Sequence, residues 1–128
     1  MSGFVTRLAA TNLDPDFAGG RGLWELVEPL VYESDVAAMT ITVPVGFKTD
    51  FASVIRLPVI YLLFGDKAHA PATVHDWLYN SGIVNRKTAD DVFAEAMRVS
   101  TKLSGFERWM MWAAVRAFGG THFDRGAT

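Results

Sequence analysis

Cysteine is absent from this sequence, and its absence removes thiolate zinc sites, thiol nucleophiles and a disulfide framework together. No block of one charge is present either. Twelve Lys and Arg are interspersed with fourteen Asp and Glu, a net charge of -2, so nothing in the overall balance announces nucleic acid or an anionic membrane as a partner. Apolar runs such as Leu57 to Gly65 and Trp109 to Val115 are far short of the roughly 20 residues needed to cross a bilayer. No transmembrane helix is expected. The first residues, Met-Ser-Gly-Phe-Val-Thr-Arg, lack the charged, apolar and small-residue regions of a signal peptide. The expectation is synthesis in a cytoplasm, with export only as part of an assembly.

What is present suits one globular domain. Half of the 128 residues are apolar and 20% are charged, enough to bury a core without a metal or disulfide staple. Residues 11–22, TNLDPDFAGGRG, read as an extended loop after a short first strand. Trp24 to Glu28, Leu30 to Glu33 and Met39 to Val43 read as strands, with Ser34-Asp35 turning the last two into an antiparallel hairpin. Pro44 and Gly46 end the sheet region. From Pro58 the period becomes helical, with a stop at Gly65 and three further helices: Ala68 to about Tyr79, Thr88 to about Thr101, and Gly105 to Phe118. Thr88 is expected to cap the second of these, and Ser104-x-x-Glu107 to form a capping box on the third. The fold class is α+β, a small antiparallel sheet followed by a bundle of three to four helices in a single domain, with 121–128 as a loose tail.

The chemistry concentrates in residues 73–97. His75 and Tyr79 are four apart on a helix and Asp76 and Tyr79 three apart, so they share one edge. On the next helix Phe93, Ala96, Met97 and Ser100 mark an inward face that includes Asp90, and Asp91 falls with Glu95 and Arg98 on the wet side. An inward carboxylate needs a partner, because an isolated buried charge is costly. His75 and Tyr79 are the candidates, brought close if the short link from Asn80 to Lys87 makes the helices antiparallel. A carboxylate that fixes a histidine tautomer leaves the other ring nitrogen as a base. Asp76 can instead hold a hard cation such as calcium.

The run His75-Asp76-Trp77-Leu78-Tyr79-Asn80, followed by Arg86, Asp90, Phe93 and Met97, resembles the paired catalytic helices of prokaryotic phospholipase A2. That resemblance implies His75 as the residue that activates water, Asp76 as the calcium ligand, and Asp90 as the orienting aspartate with Tyr79 in support. The chain departs from it in lacking a glycine-rich calcium loop. A wider resemblance covers about residues 24–120. Trp24, then Val43-Pro-Val-Gly-Phe-Lys-Thr-Asp50-Phe-Ala-Ser53, His75-Asp-Trp-Leu-Tyr79, Arg86, Ala89-Asp90, Phe93 and Val115-Arg116-Ala-Phe-Gly119 occur in order. This pattern is similar to the phage-encoded domain-of-unknown-function family 1353. It implies a bacteriophage or prophage origin, commonly near tail genes, and hence a virion, other phage structural proteins as partners and a host-envelope substrate.

Two readings stand at this point. In one, the chain is a small hydrolase acting on host lipid or cell wall, with His75, Asp90 and Tyr79 as the site and a divalent cation at Asp76. In the other it is a non-catalytic tail or tail-tip protein whose polar cluster only pairs helices. Asp50 and Ser53 either extend the site or cap a turn. His69 and His122 read as plain surface residues. The last helix is apolar nearly all round, so it is either the central helix of the domain or a docking surface for another chain.

Overall fold

The computed structural model describes residues 2–16, 23–49 and 69–118. Among them the order is β1 (Gly3–Phe4), β2 (Ala10–Asp14), β3 (Leu23–Leu26), β4 (Leu30–Ser34), β5 (Met39–Val43) and β6 (Lys48–Thr49), then α1 (His69–Ser81), α2 (Arg86–Ser100) and α3 (Gly105–Phe118). The class is α+β. Instead of one sheet, the strands form two antiparallel sheets of three, ordered β1-β4-β5 and β2-β3-β6. The expected helix before α1, the tail, and the positions Asp50, Ser53 and His122 lie outside the described residues.

The alternating pattern of Met-Thr-Ile-Thr-Val turns Ile41 and Val43 inward and the threonines to water. β5 pairs with β4 as the expected hairpin, from Leu30 opposite Val43 to Ser34 opposite Met39. Its turn holds Ala38 at φ 54°, a left-handed conformation that costs a residue with a Cβ. The Pro44-Gly46 segment does not end the sheet region. Phe47 N–H donates to Pro44 O across a turn with Gly46 at φ 88°, the glycine-requiring position of a type II turn, and the chain then re-enters as β6 against β3. The segment expected as loop contains most of β2, which pairs with β3 through a bulge at Asn12/Asp14. β2 buries none of its side chains fully, so it left no apolar period to detect.

α2 occupies the centre. Ala89, Val92 and Ala96 pack with Leu26, Leu30, Tyr32, Ile41 and Val43 of the sheets and with Val74, Leu78 and Tyr79 of α1. Phe93 and Met97, further round the helix, pack with Ala72, Leu103, Met111 and Val115. α3 is therefore peripheral rather than central; among its described side chains only Met111 and Val115 are buried, and Phe106 and Trp109 face outward. α1 ends at Gly82, whose φ of 64° lets its N–H reach Leu78 O. The cap of α2 lies three residues before the expected one: Asn85 Oδ1 accepts from Thr88 N–H at 2.8 Å, so Thr88 is capped rather than capping. The Ser104/Glu107 box forms as expected, each side chain bonded to the other's backbone N–H. No helix among the described residues is long and apolar enough to cross a membrane.

Candidate functional site

α1 and α2, joined by four residues from Gly82 to Asn85, place His75 against Asp90. His75 Nε2 lies 2.6 Å from Asp90 Oδ1, with both side chains wholly buried. Tyr79 OH donates to the same oxygen at 2.5 Å, and Arg116 of α3 donates to Asp90 Oδ2 at 2.9 Å. Arg86 closes the network: its Nε donates to Tyr79 OH at 3.2 Å and its Nη2 to the carbonyls of Val115 and Arg116 at 2.8 and 2.6 Å. A guanidinium at the last turn of α3 satisfies carbonyls that the helix leaves open and complements its dipole. The rings of Tyr79 and Phe93 hold the imidazole, with centroids at 4.1 and 5.0 Å.

The protonation states follow from these contacts. Burial pushes the Asp90 carboxyl upward, but hydrogen bonds from His75, Tyr79 and Arg116 outweigh it and hold the group below the usual aspartate range. Asp90 is therefore an ionised acceptor. Burial pushes His75 below its ordinary value, against the pull of Asp90, so the imidazole is neutral at neutral pH. A carboxylate can only accept, which makes Nε2 the protonated nitrogen and Nδ1 the basic one. Tyr79 is pushed up by burial first and by its bond to Asp90 second, and it stays a donor.

His75, Tyr79 and Asp90 thus come together as expected. Asp76 is also buried but belongs to a different contact, accepting from the Thr49 hydroxyl of β6. No group of three or more His, Asp or Glu side chains among the described residues is arranged to hold a metal ion. Asp91 is half-buried, paired with Lys87 at 2.6 Å and accepting from Trp112 Nε1 at 3.0 Å. His69 is half-buried and lines a small cavity with Trp24, Thr49 and Thr73, so it is not a plain surface residue.

Glu95 corrects the sequence reading most directly. It is only 6% exposed and accepts four hydrogen bonds, from Ser2 Oγ, Tyr32 OH, Ser34 Oγ and Val36 N–H, at 2.6, 2.9, 2.8 and 3.0 Å. Ser100, expected inward, is exposed. α2 is buried on more than the one face that its amphipathic spacing marks, covered by sheet on one side and by α3 on the other. Arg86 and Arg116 were also missed as members of the network. The signal for Arg116 was its place as the one charge in the otherwise apolar second half of α3, Trp109 to Phe118, where a guanidinium needs a carboxylate.

The family described as protein of unknown function, DUF1353, matches over residues 24–115. The chain belongs to that family. Within this DUF1353 domain lie β3 from Trp24 on, β4 to β6, all of α1 and α2, and every member of the network except Arg116, one residue past the matched span. Comparison with curated proteins and with solved structures returns no match.

Proposed function

We propose that this DUF1353 protein is a small bacteriophage hydrolase that works from the virion, at the tail or tail tip, on an ester or related bond of the host envelope. The observation that carries the reading is the 2.6 Å contact from His75 Nε2 to an Asp90 held by Tyr79 and Arg116. In it Asp90 fixes the tautomer and stabilises the imidazolium that forms when Nδ1 takes a proton from water. The activated water adds to the carbonyl carbon, and the proton passes from Nδ1 to the leaving oxygen as the bond breaks. His75 is fully buried, so turnover includes an opening step that admits water. Asp76 with the Thr49 hydroxyl supplies oxygen donors of the class that calcium and magnesium take; a cation there would supply charge to stabilise the oxyanion. The phage setting rests on the resemblance in residues 24–120.

A second reading has its own observation. Asp90 is satisfied on both oxygens, and Arg86 ties the end of α3 to Tyr79, as a network that only holds three helices would be. The two separate on one experiment. Purified parent and His75→Ala are incubated with phospholipid vesicles and with cell-wall sacculi, and released fatty acid or wall fragments are quantified. Under the hydrolase reading the parent releases product and a folded His75→Ala loses at least a hundredfold. No release from either substrate sinks it and leaves the structural role.

A further inference from the structure

The outward face of α3 is apolar except at its border, where Arg116, seven residues on from Trp109, is drawn in to Asp90. Phe106, Trp109, Met110, Ala113 and Ala117 recur at helical spacing along the face, and Phe106 and Trp109 are 69% and 60% exposed. Their rings stack with centroids 6.4 Å apart. Large aromatic side chains on an outer face are what a folded domain ordinarily hides. Beside this face runs an apolar groove between α2 and α3, with Val36, Ala94, Trp109 and Trp112 in its walls and Arg98 and Arg108 at its edge.

The charges around the face are unequal in availability. Asp91 is held by Lys87 and Trp112, Glu95 is turned into the sheet, and Glu107 serves the Ser104 cap. Arg98 and Lys102 are exposed and Arg108 half-exposed, and none of the three forms an ion pair among the described residues. A net charge of -2 over the chain conceals a local cationic rim.

We propose that this face binds an anionic phospholipid surface, with Phe106 and Trp109 entering the headgroup layer and Arg98, Lys102 and Arg108 meeting phosphate. Aromatic residues flanked by Lys and Arg suit that layer, which is apolar below and negative above. A second copy is the weaker occupant, because a two-fold contact puts the same cationic rim on both sides. The inference rests on the hydrolase reading and narrows its substrate class to membrane lipid.

The test is co-sedimentation of the full chain with phosphatidylcholine vesicles, with and without phosphatidylglycerol. Parent and His75→Ala should both partition at least tenfold more strongly onto the anionic vesicles, and less so in high salt. The double substitutions Phe106→Ser with Trp109→Ser, and Arg98→Glu with Lys102→Glu, should each lose at least tenfold while keeping the parent's melting temperature. No binding by the parent, or binding undiminished in either double variant, overturns the proposal. So does a parent dimer in solution that Trp109→Ser dissociates, since a second copy then covers the face. Vesicle binding without product released from either vesicles or sacculi leaves the surface standing and removes the hydrolase reading. Activity on a soluble short-chain ester without vesicle binding does the reverse.

Discussion

Glu95 joins α2 to the sheet, and its replacement should cost more than any exposed glutamate could. Its Oε1 accepts from the Tyr32 and Ser34 hydroxyls and its Oε2 from Ser2 Oγ and Val36 N–H. In Glu95→Gln one oxygen becomes an NH2 group. The amide should turn that nitrogen toward Tyr32 and Ser34, whose hydroxyls can rotate to accept, because Val36 N–H cannot. Four charge-assisted bonds become neutral ones, an expected cost of about 2 to 3 kcal/mol. Glu95→Ala instead leaves the buried Tyr32 and Ser34 hydroxyls and Val36 N–H without this acceptor, an expected loss of about 3 to 5 kcal/mol. Urea unfolding at pH 7 reads both, the alanine variant shifting the midpoint by roughly 1 to 5 M for ordinary slopes. Equal losses in the two variants, or a loss under about 0.5 kcal/mol in Glu95→Gln, would refute the four-bond account.

Ala38 sits at φ 54° in the β4–β5 turn, so Ala38→Gly should stabilise by about 0.5 to 1 kcal/mol despite the added chain entropy, measured by the same unfolding. His75 is pushed down from its ordinary value by burial, so the unfolded chain binds the extra proton and stability is fully present above roughly pH 6.5. It should fall as pH drops through that value toward the lowered one, at up to about 1.4 kcal/mol per pH unit, and His75→Gln should lack that slope. Asp90 and Glu95, both held low, add a further loss below the ordinary carboxyl range, read by melting in acetate and citrate buffers. If Asp76 takes a divalent cation, millimolar calcium or magnesium should raise the parent's melting temperature and not that of Asp76→Asn; equal curves would remove the cation.

The inward placing of Asp90 was legible because Phe93 and Met97 lie three and seven residues on, a spacing that only one helix face satisfies. The same logic failed for Glu95. It lies five residues from Asp90, about 140° around the axis at 3.6 residues per turn, and both belong to a buried arc wider than one amphipathic stripe. Each carboxylate marks one edge of that arc. A helix packed on two sides carries no sign in its own sequence of where its second face ends. The α2 start was misplaced because Asn85 and Thr88 are both good caps, and only backbone geometry decides that Asn85 accepts and Thr88 donates. β2 was unreadable for another reason: Ala-Thr-Asn-Leu-Asp is held by ladder bonds to β3, which any sequence without proline can make. The positions of α1 and α3 and the Ser104/Glu107 box depend on local chemistry, and these emerged nearly as expected.

That Asp90 poises His75 as a base is tested most directly by the protonation of the His75 ring. Nitrogen-15 NMR of ring-labelled protein assigns each nitrogen at pH 7, with His75→Gln identifying the signals. A neutral imidazole with the proton on Nε2 and the lone pair on Nδ1, titrating below the ordinary histidine value, is the expected result; Asp90→Asn should broaden or invert that tautomer preference. An imidazolium at pH 7, or a proton on Nδ1 with a bare Nε2, would contradict the account.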